Sequence, residues 1–223
     1  MLNKLRSKAS FYRPIVKLLL KQPRYIKYIF SWEKSPLDLE VPWLGFDVKN
    51  WLDKNLNKEM VVFEYGSGGS TLYYAKKVKK IISVEHDKYW YEVVKNKLAA
   101  GGLDNSEFHL CHPEPIMNNE PNLYSSTDEN YQGMTFEKYV EKINAYPDNY
   151  FDLVVVDGRA RTSCLKQVLS KVKDGGYVLL DNSERSEYNL GIRLFDKFVV
   201  KIFFGPGFSN NTPCEARIWQ INK

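Results

Sequence analysis

Short apolar runs alternate with stretches of helical periodicity from residue 44 to the C-terminus. Seven runs carry the apolar and β-branched residues of buried strands, and we predict strands over 60–66, 79–87, 106–112, 151–158, 177–182, 197–205 and 215–222. Apolar residues recur at helical spacing between them, which predicts helices over 44–56, 70–78, 88–102, 135–146 and 160–176. This alternation is typical of an α/β fold with a doubly wound, mostly parallel sheet.

Two segments depart from the alternation. Only GPGFSNNTPC separates the last two predicted strands, which leaves no room for a helix, so we expect these strands to be antiparallel. Segment 113–149 is polar and lies between the third and fourth long strands. Long loops of this kind are often functional, and we expect 113–149 to be an insertion on the substrate side of the domain.

The charge of the chain is concentrated at its N-terminus. The 223 residues carry a net charge of +5, but residues 1–32 hold eight Lys and Arg and no acid. We therefore divide the chain into a basic amphipathic arm (1–43) and one domain (44–223). The arm could pack on the domain as a lid or join two copies in a homo-oligomer. It could also lie on a membrane surface or contact nucleic acid.

The cysteine content and hydropathy favour a cytoplasmic protein, with membrane association through the arm left open. Three cysteines are an odd number, and they lack the spacing of a metal site. No apolar run approaches the length of a membrane span, and the N-terminus lacks the apolar stretch of a secretory signal.

The stretch VVFEYGSGGST places three glycines directly after the first predicted strand. It is not a P-loop, because no lysine follows the glycines. The dinucleotide pattern G-x-G-x-x-G fits only in part, since Thr71 stands at the third glycine position.

Two carboxylates make the glycine pattern more specific. Glu64 precedes the glycines and would repel a pyrophosphate, whereas it would attract a cation. Glu85 ends the second strand, where an acid accepts the ribose hydroxyls of a nucleoside. Together they predict a nucleoside with a positive, amine-containing tail, S-adenosylmethionine. In the alternative interpretation, Glu64 caps the turn and Glu85 is a solvated strand end.

The chain resembles the class I S-adenosylmethionine-dependent methyltransferases in FEYGSGGST, SVEHD, FDLVVVDG and LKQVLSKVKDGGYVLLDN, over about residues 45–223. The resemblance implies a seven-stranded Rossmann-like sheet with an antiparallel last strand. It implies a cofactor site made of Glu64, Gly66, Ser67, Gly68, Thr71, Glu85, His86 and Asp157. His86 or Asp87 would lie beside the adenine. The acid often found after the third strand is not evident, and His109, His112 and Glu114 are the polar residues nearby.

A second set of polar residues follows the fourth and fifth long strands. Asp157, Asp181 and Asn182 offer oxygen ligands that suit Mg²⁺. This set resembles the metal-dependent catechol and caffeoyl-CoA-type O-methyltransferases, although Ala160 stands where the catechol enzymes have a catalytic lysine. In the alternative interpretation, Asp157 makes a turn and the Asp181–Asn182 pair caps a helix.

Arginines accompany these acids and suggest the charge of the methyl acceptor. Arg159, Arg161 and Arg185 favour an anionic substrate, unless they pair with local acids. We name Asp157, Arg161 and His109 as candidate catalytic residues. The sequence thus predicts methyl transfer to a hydroxyl of a small molecule or glycan, with metal assistance left open. Alternatives are a nucleic-acid methyltransferase and a non-catalytic scaffold on the same fold.

Overall fold

The computed structural model describes residues 34–117, 123–207 and 210–223, together with residues 20 and 23. Its strands are β1 (Val61–Tyr65), β2 (Lys80–Glu85), β3 (Ser106–Leu110), β4 (Glu114–Pro115), β5 (Met134–Thr135), β6 (Phe151–Val156), β7 (Val172–Asp181), β8 (Val199–Gly207) and β9 (Asn210–Gln220). Its helices are α1 (Pro36–Leu39), α2 (Phe46–Asn55), α3 (Gly69–Ala75), α4 (Lys88–Ala100), α5 (Glu137–Glu141), α6 (Arg161–Lys171) and α7 (Asn189–Ile192). Short 3₁₀ turns cover Glu129–Tyr131, Lys142–Ala145, Ser186–Tyr188 and Arg193–Phe195.

The seven longer strands form one sheet in the order β3-β2-β1-β6-β7-β9-β8. Neighbours from β3 to β7 are parallel, and β9 is antiparallel to both β7 and β8. The last strand therefore inserts in reverse between β7 and the edge strand β8. This confirms the predicted seven-stranded, mostly parallel sheet with an antiparallel last strand.

Apolar clusters cover both faces of the sheet, and the alternation of side chains in β1 shows how they divide. Phe63 and Tyr65 belong to a cluster that includes Leu165 of α6. Val62 points the other way, into a cluster that includes Leu52 of α2. Because helices pack on both faces, the central strands β1, β2 and β6 are mostly buried, and the C-terminal ends of the parallel strands meet at one edge.

The structure corrects the predicted end of the 160–176 helix. Helix α6 ends at Lys171, and β7 begins at the fully buried Val172, which pairs with Phe151 of β6. A register shift between Phe151 and Leu153 accommodates this early pairing. Burial of Val172 against β6 thus outweighs the helical pattern of the sequence.

The 113–149 insertion also differs locally from its prediction. The expected helix over 135–146 is limited to the five residues of α5 and the 3₁₀ turn that follows it. Strands β4 and β5 form a small antiparallel pair that was not predicted.

Residues 34–43, the end of the predicted arm, pack on the domain. Leu37 is 4% exposed in the cluster that contains α2 and α3. A Cβ atom on Gly69 would clash with the carbonyl oxygen of Pro36, so α1 lies directly on the start of α3. This contact makes residues 34–43 part of the wall beside the first glycine turn.

The rest of the arm lies outside the described residues, apart from residues 20 and 23. Its contact with a membrane, a nucleic acid or a second copy therefore stays a prediction. In the part of the chain that the structure describes, no helix has the length and hydropathy needed to cross a bilayer.

Candidate functional site

A cleft of about 1120 Å³ opens at the edge where the parallel strands end. Its walls come from the segments after β1 and β2, which we call the β1–β2 half, and from those after β6 and β7, the β6–β7 half. Ligands bind at this edge in open α/β sheets. A drug-sized ligand typically occupies a pocket of roughly 300–1,000 Å³, so the cleft has room for a nucleoside and a second ligand.

The glycine turn after β1 brings the two halves into contact. Gly66 has φ +95°, a conformation that favours glycine. A Cβ atom on Gly158 would clash with Tyr139 Oη and would lie 2.9 Å from the backbone nitrogen of Gly66. The turns after β1 and β6 therefore touch only because both positions are glycine.

Glu64 lies under the glycine turn and lines the cleft. Its Oε2 accepts hydrogen bonds from Thr71 Oγ1 at 2.7 Å and from Ser83 Oγ at 2.8 Å. Thr71 Oγ1 in turn accepts a hydrogen bond from the backbone N–H of Gly68 at 3.1 Å. Burial raises the pKa of Glu64 to about 7 although neighbouring hydroxyls oppose the shift. Glu64 thus supports the turn and is poised to ionise beside a cation.

Glu85 is an acceptor at the end of β2, with 2% of its surface exposed. Its Oε1 accepts hydrogen bonds from the backbone N–H groups of His86 and Asp87, and its Oε2 accepts one from Ser67 Oγ at 2.6 Å. Burial acts to raise the pKa of Glu85, but the donors around it hold the value below its ordinary level. Glu85 is therefore an ionised, fixed acceptor in the wall of the cleft.

Aromatic side chains surround Glu85. Trp90 Nε1 donates to the carbonyl oxygen of Ser67 at 2.8 Å and so fixes the turn from the α4 side. Tyr131, from the 113–149 insertion, lies with its hydroxyl 2.9 Å from His86 Nε2. All three rings line the cleft, and flat apolar walls of this kind suit a nucleoside base.

Asp157 and Asp181 form a carboxyl pair in the β6–β7 half. Both side chains line the cleft, and each acts on the pKa of the other. Burial, together with the adjacent Asp157 charge, raises the pKa of Asp181 well above its ordinary value. The pKa of Asp157 is raised as well, because that carboxyl is also buried. Its Oδ1 is buried and has no hydrogen-bond donor in the described part of the chain.

Arg161 begins α6 and lies between the strand ends with 8% of its surface exposed. Its Nε donates to the carbonyl oxygen of Gly158 at 2.9 Å. Nη1 donates to the carbonyl oxygen of Asp181 at 2.5 Å and to Asn182 Oδ1 at 3.2 Å. Nη2 donates to the carbonyl oxygen of Asp157 at 3.0 Å and lies 3.1 Å from Asp157 Oδ1. Four hydrogen bonds and one ion pair therefore hold all three nitrogens of the guanidinium.

The predicted metal ligands do not fit Mg²⁺ in this arrangement. Arg161 contacts both Asp157 and Asn182, and its Nη1 lies 3.9 Å from Asp181 Oδ2. Mg²⁺ needs oxygens at about 2.0–2.1 Å in octahedral geometry, and the guanidinium already lies among the three side chains. The described residues also contain no group of three or more His, Cys, Asp or Glu that could hold a metal ion.

The other two predicted arginines differ in their surroundings. Arg159 pairs with Asp128 of the insertion at 2.9 Å, and its guanidinium lies 5.5 Å from the centre of the Tyr131 ring. Arg185 lines the cleft, and its side chain has no hydrogen-bond or ion-pair partner among the described residues. Arg185 is therefore the arginine of this half that is available to a ligand.

Two predicted site residues do not line the cleft. His109 lies on β3, where its Nε2 contacts Glu107 Oε1 at 2.8 Å and Tyr146 Oη at 3.0 Å. Thr71 is fully buried and contacts Glu64, as described above. His109 thus lies in a polar cluster with Glu107 and Tyr146, away from the residues that line the cleft. The remaining predicted residues all line the cleft, namely Glu64, Gly66, Ser67, Gly68, Glu85, His86, Asp157, Arg159, Arg161, Asp181, Asn182 and Arg185.

The structure adds cleft residues that the sequence analysis did not name as a site. They include Trp43, Tyr89, Trp90, Tyr131 and residues 34–37. Tyr89 and Trp90 could have been predicted, because they are aromatic residues just after the SVEHD strand. No local pattern marked Trp43 or residues 34–37, because they reach the cleft through a contact between distant parts of the chain.

Comparisons with solved structures identify the fold. An rRNA methylase from Streptococcus thermophilus superposes with a TM-score of 0.52 at 14% identity, over 85% of this chain and 98% of that one. A protein from Streptococcus mutans, described as a candidate methyltransferase and solved with S-adenosylhomocysteine, gives 0.52 at 13%, over 84% and 98%. A candidate O-methyltransferase from Klebsiella pneumoniae gives 0.53 at 15%, over 74% of each chain.

No protein-family model matches the chain, and a search of curated proteins finds no match. The structural matches are low in identity and differ in the acceptor that their names give, so they identify the fold alone. The chain has the fold of the class I S-adenosylmethionine-dependent methyltransferases.

Proposed function

We propose that the protein transfers a methyl group from S-adenosylmethionine to a hydroxyl group of an anionic small molecule or glycan. The observation that carries the proposal is the meeting of two strand ends at one cleft. The glycine turn with Glu64 follows β1, and the ionised Glu85 follows β2. The fold and the solved complex of a structural neighbour with S-adenosylhomocysteine support the same cofactor.

The residues of the β1–β2 half fit the cofactor. Glu85 would accept the ribose hydroxyls, and His86 with Tyr131 would lie beside the base. The carboxylate of Glu64 would balance the positive charge of the methionine end. When bound, S-adenosylmethionine would supply a methyl group activated by its sulfonium.

The residues of the β6–β7 half fit an anionic acceptor. The Arg185 side chain has no hydrogen-bond or ion-pair partner among the described residues, and it suits a carboxylate or a phosphate. Asp157 has 26% of its side chain exposed and is placed to orient an acceptor hydroxyl and to take its proton. Exposed Trp43 at the rim offers a flat surface on which a sugar or an aromatic ring could stack.

A nucleic acid is the second candidate acceptor. Trp43 and Tyr89 are 57% and 78% exposed at the cleft, and exposed aromatic rings bind unpaired bases by stacking. The basic residues 1–32 would add contacts to phosphates. One neighbour is named an rRNA methylase, but at 14% identity that name describes the neighbour.

Calorimetry tests cofactor binding first, and a transfer assay then tests methyl transfer. We expect S-adenosylhomocysteine to bind the purified protein with one site. Radiolabelled S-adenosylmethionine should then label an acceptor from a panel of uronic acids, sugar phosphates, carboxylated phenols and RNA. Label on RNA alone would select the nucleic-acid function. Absence of cofactor binding by folded protein would reject methyl transfer altogether.

A further inference from the structure

Arg161 lies where the three predicted metal ligands converge. Asp157, Asp181 and Asn182 come from the ends of two neighbouring strands, an arrangement that collects oxygen atoms for a cation. The guanidinium lies within 3.1–3.9 Å of a side-chain oxygen of each. A cation is therefore already present at this position, and it belongs to the chain.

Hydrogen bonds to the backbone show that the fold fixes the Arg161 side chain at this position. Arg161 also donates to the carbonyl oxygens of Asp157, Gly158 and Asp181, so one side chain ties the end of β6 to the end of β7. Ala160, just before it, adopts φ +47° and ψ +39°, and α6 starts at the next residue. The left-handed residue turns the chain sharply, so the first side chain of α6 lies at the strand ends.

The position of Arg161 has two chemical consequences. Four hydrogen bonds and one ion pair with groups of the protein occupy all three nitrogens of its guanidinium, which leaves little of its donor capacity for a substrate anion. Its charge stays on the guanidinium because arginine keeps its proton in proteins. A second cation placed between the same carboxyl groups would be repelled at short range.

We propose that Arg161 is a built-in cation that takes the place of a divalent metal, so that the site works without metal and Arg161 positions Asp157 for the acceptor. The positioning role rests on the proposed function, whereas the replacement of a metal does not. If Arg161 takes the place of a metal, it is no longer a substrate-binding residue, and Arg185 is the arginine that would bind an acceptor anion.

The prediction that follows is that a metal site appears when the guanidinium is removed. In Arg161→Ala, the oxygens of Asp157, Asp181 and Asn182 would surround an empty, negatively charged space. We expect this variant to bind one equivalent of Mg²⁺ or Mn²⁺ and to gain thermal stability from it. Arg161→Lys keeps a positive charge at the position and should bind neither ion. The double variant Arg161→Ala/Asp181→Asn should lose the gained binding.

Titration calorimetry with MgCl₂ and melting curves with and without the ion test the proposal without any turnover. For the wild-type protein we expect no saturable heat at millimolar Mg²⁺ and no shift in melting temperature. Arg161→Gln keeps most of the side-chain volume without the charge, and it replaces Arg161→Ala if that variant does not fold. Saturable Mg²⁺ binding by the wild type that Asp181→Asn removes would overturn the proposal. So would a folded, uncharged variant that binds no ion.

The positioning role of Arg161 is tested separately, by comparing kcat with cofactor affinity. With an acceptor identified by the transfer assay, Arg161→Lys should lower kcat much more than it changes the affinity for S-adenosylhomocysteine. A parallel loss of both would mean that Arg161 only holds the fold. Failure to find any acceptor would contradict the proposed function. The metal titration would still test whether Arg161 takes the place of a metal.

Discussion

The two halves of the cleft differ in the groups that contact their carboxylates. In the β1–β2 half, Glu64 and Glu85 accept hydrogen bonds from hydroxyls and backbone N–H groups, and no lysine or arginine pairs with them among the described residues. In the β6–β7 half, Arg161 neutralises the carboxyl pair, and Arg159 and Arg185 add positive charge. One sheet edge thus presents an acidic wall and a basic wall that face a common space.

Opposite charge on the two walls would let one cleft bind two ligands of opposite charge side by side. Under the proposed function, the acidic half would favour a sulfonium with an amino group, and the basic half would favour an anionic acceptor. The glycine contact between Gly66 and Gly158 holds the two walls side by side. Reacting groups held in alignment lower the barrier to transfer by ~7–11 kcal/mol in favourable cases.

The largest expected effect comes from breaking the contact between the halves. Gly158→Ala would place a Cβ against the buried Tyr139 hydroxyl and the backbone of Gly66. We expect a loss of about 3 kcal/mol in the free energy of unfolding, measured by urea denaturation. Gly205→Ala is the control, since a Cβ there would meet no atom within 4 Å. Equal stability of the two variants would contradict the proposed contact.

The next effect concerns the acidic half alone. Glu85→Gln removes the charge of the fixed acceptor and should weaken the binding of S-adenosylhomocysteine by about tenfold to a hundredfold, because hydrogen bonds to charged groups contribute roughly 1.5–3 kcal/mol. Titration calorimetry measures the change. Glu92→Gln, at an exposed position of α4, should bind like the wild type. Unchanged affinity in Glu85→Gln would remove Glu85 from the ligand site.

The basic half should affect the acceptor and leave the cofactor alone. Arg185→Ala should raise the KM for an anionic acceptor about tenfold or more, for the loss of one charge-assisted hydrogen bond. The affinity for S-adenosylhomocysteine should not change. Lys197→Ala, on the loop before β8, is the charge-matched control. Weaker cofactor binding in Arg185→Ala would mean that the halves do not separate the ligands as described.

The smallest effect is a pH dependence. With its pKa raised to about 7 by burial, Glu64 is protonated in the free protein below that pH. A cationic ligand favours the ionised form, so binding should release a proton at low pH. Affinity for S-adenosylmethionine should be about tenfold higher at pH 8 than at pH 6. Calorimetry in buffers of different ionisation enthalpy measures the released proton, and Glu64→Gln should abolish the dependence. A pH-independent affinity in the wild type would contradict this role.

Much of the fold could be predicted because it depends on local patterns. The apolar runs predicted the strands, and the glycines after β1 with Glu85 after β2 predicted one end of the cleft. The α6 boundary was predicted wrongly because Val172 is held in β7 by a partner on β6, not by its neighbours in sequence. The pattern of apolar and polar residues along the chain does not show which strands pair.

The role of Arg161 could not be predicted for the same physical reason. Its five contacts reach two strand ends and depend on the left-handed turn at Ala160. From sequence, an arginine beside two acids is equally compatible with a substrate ligand and an internal ion pair. His109 shows the reverse case, where a plausible base near a strand end lies instead against Glu107 and Tyr146.

A crystal structure of the protein with S-adenosylhomocysteine tests the two-walled cleft most directly. We expect the ribose hydroxyls on Glu85, the amino-acid end above the glycine turn, and the sulfur facing Asp157. Density for the ligand at any other surface, or none in crystals grown at saturating ligand, would contradict it.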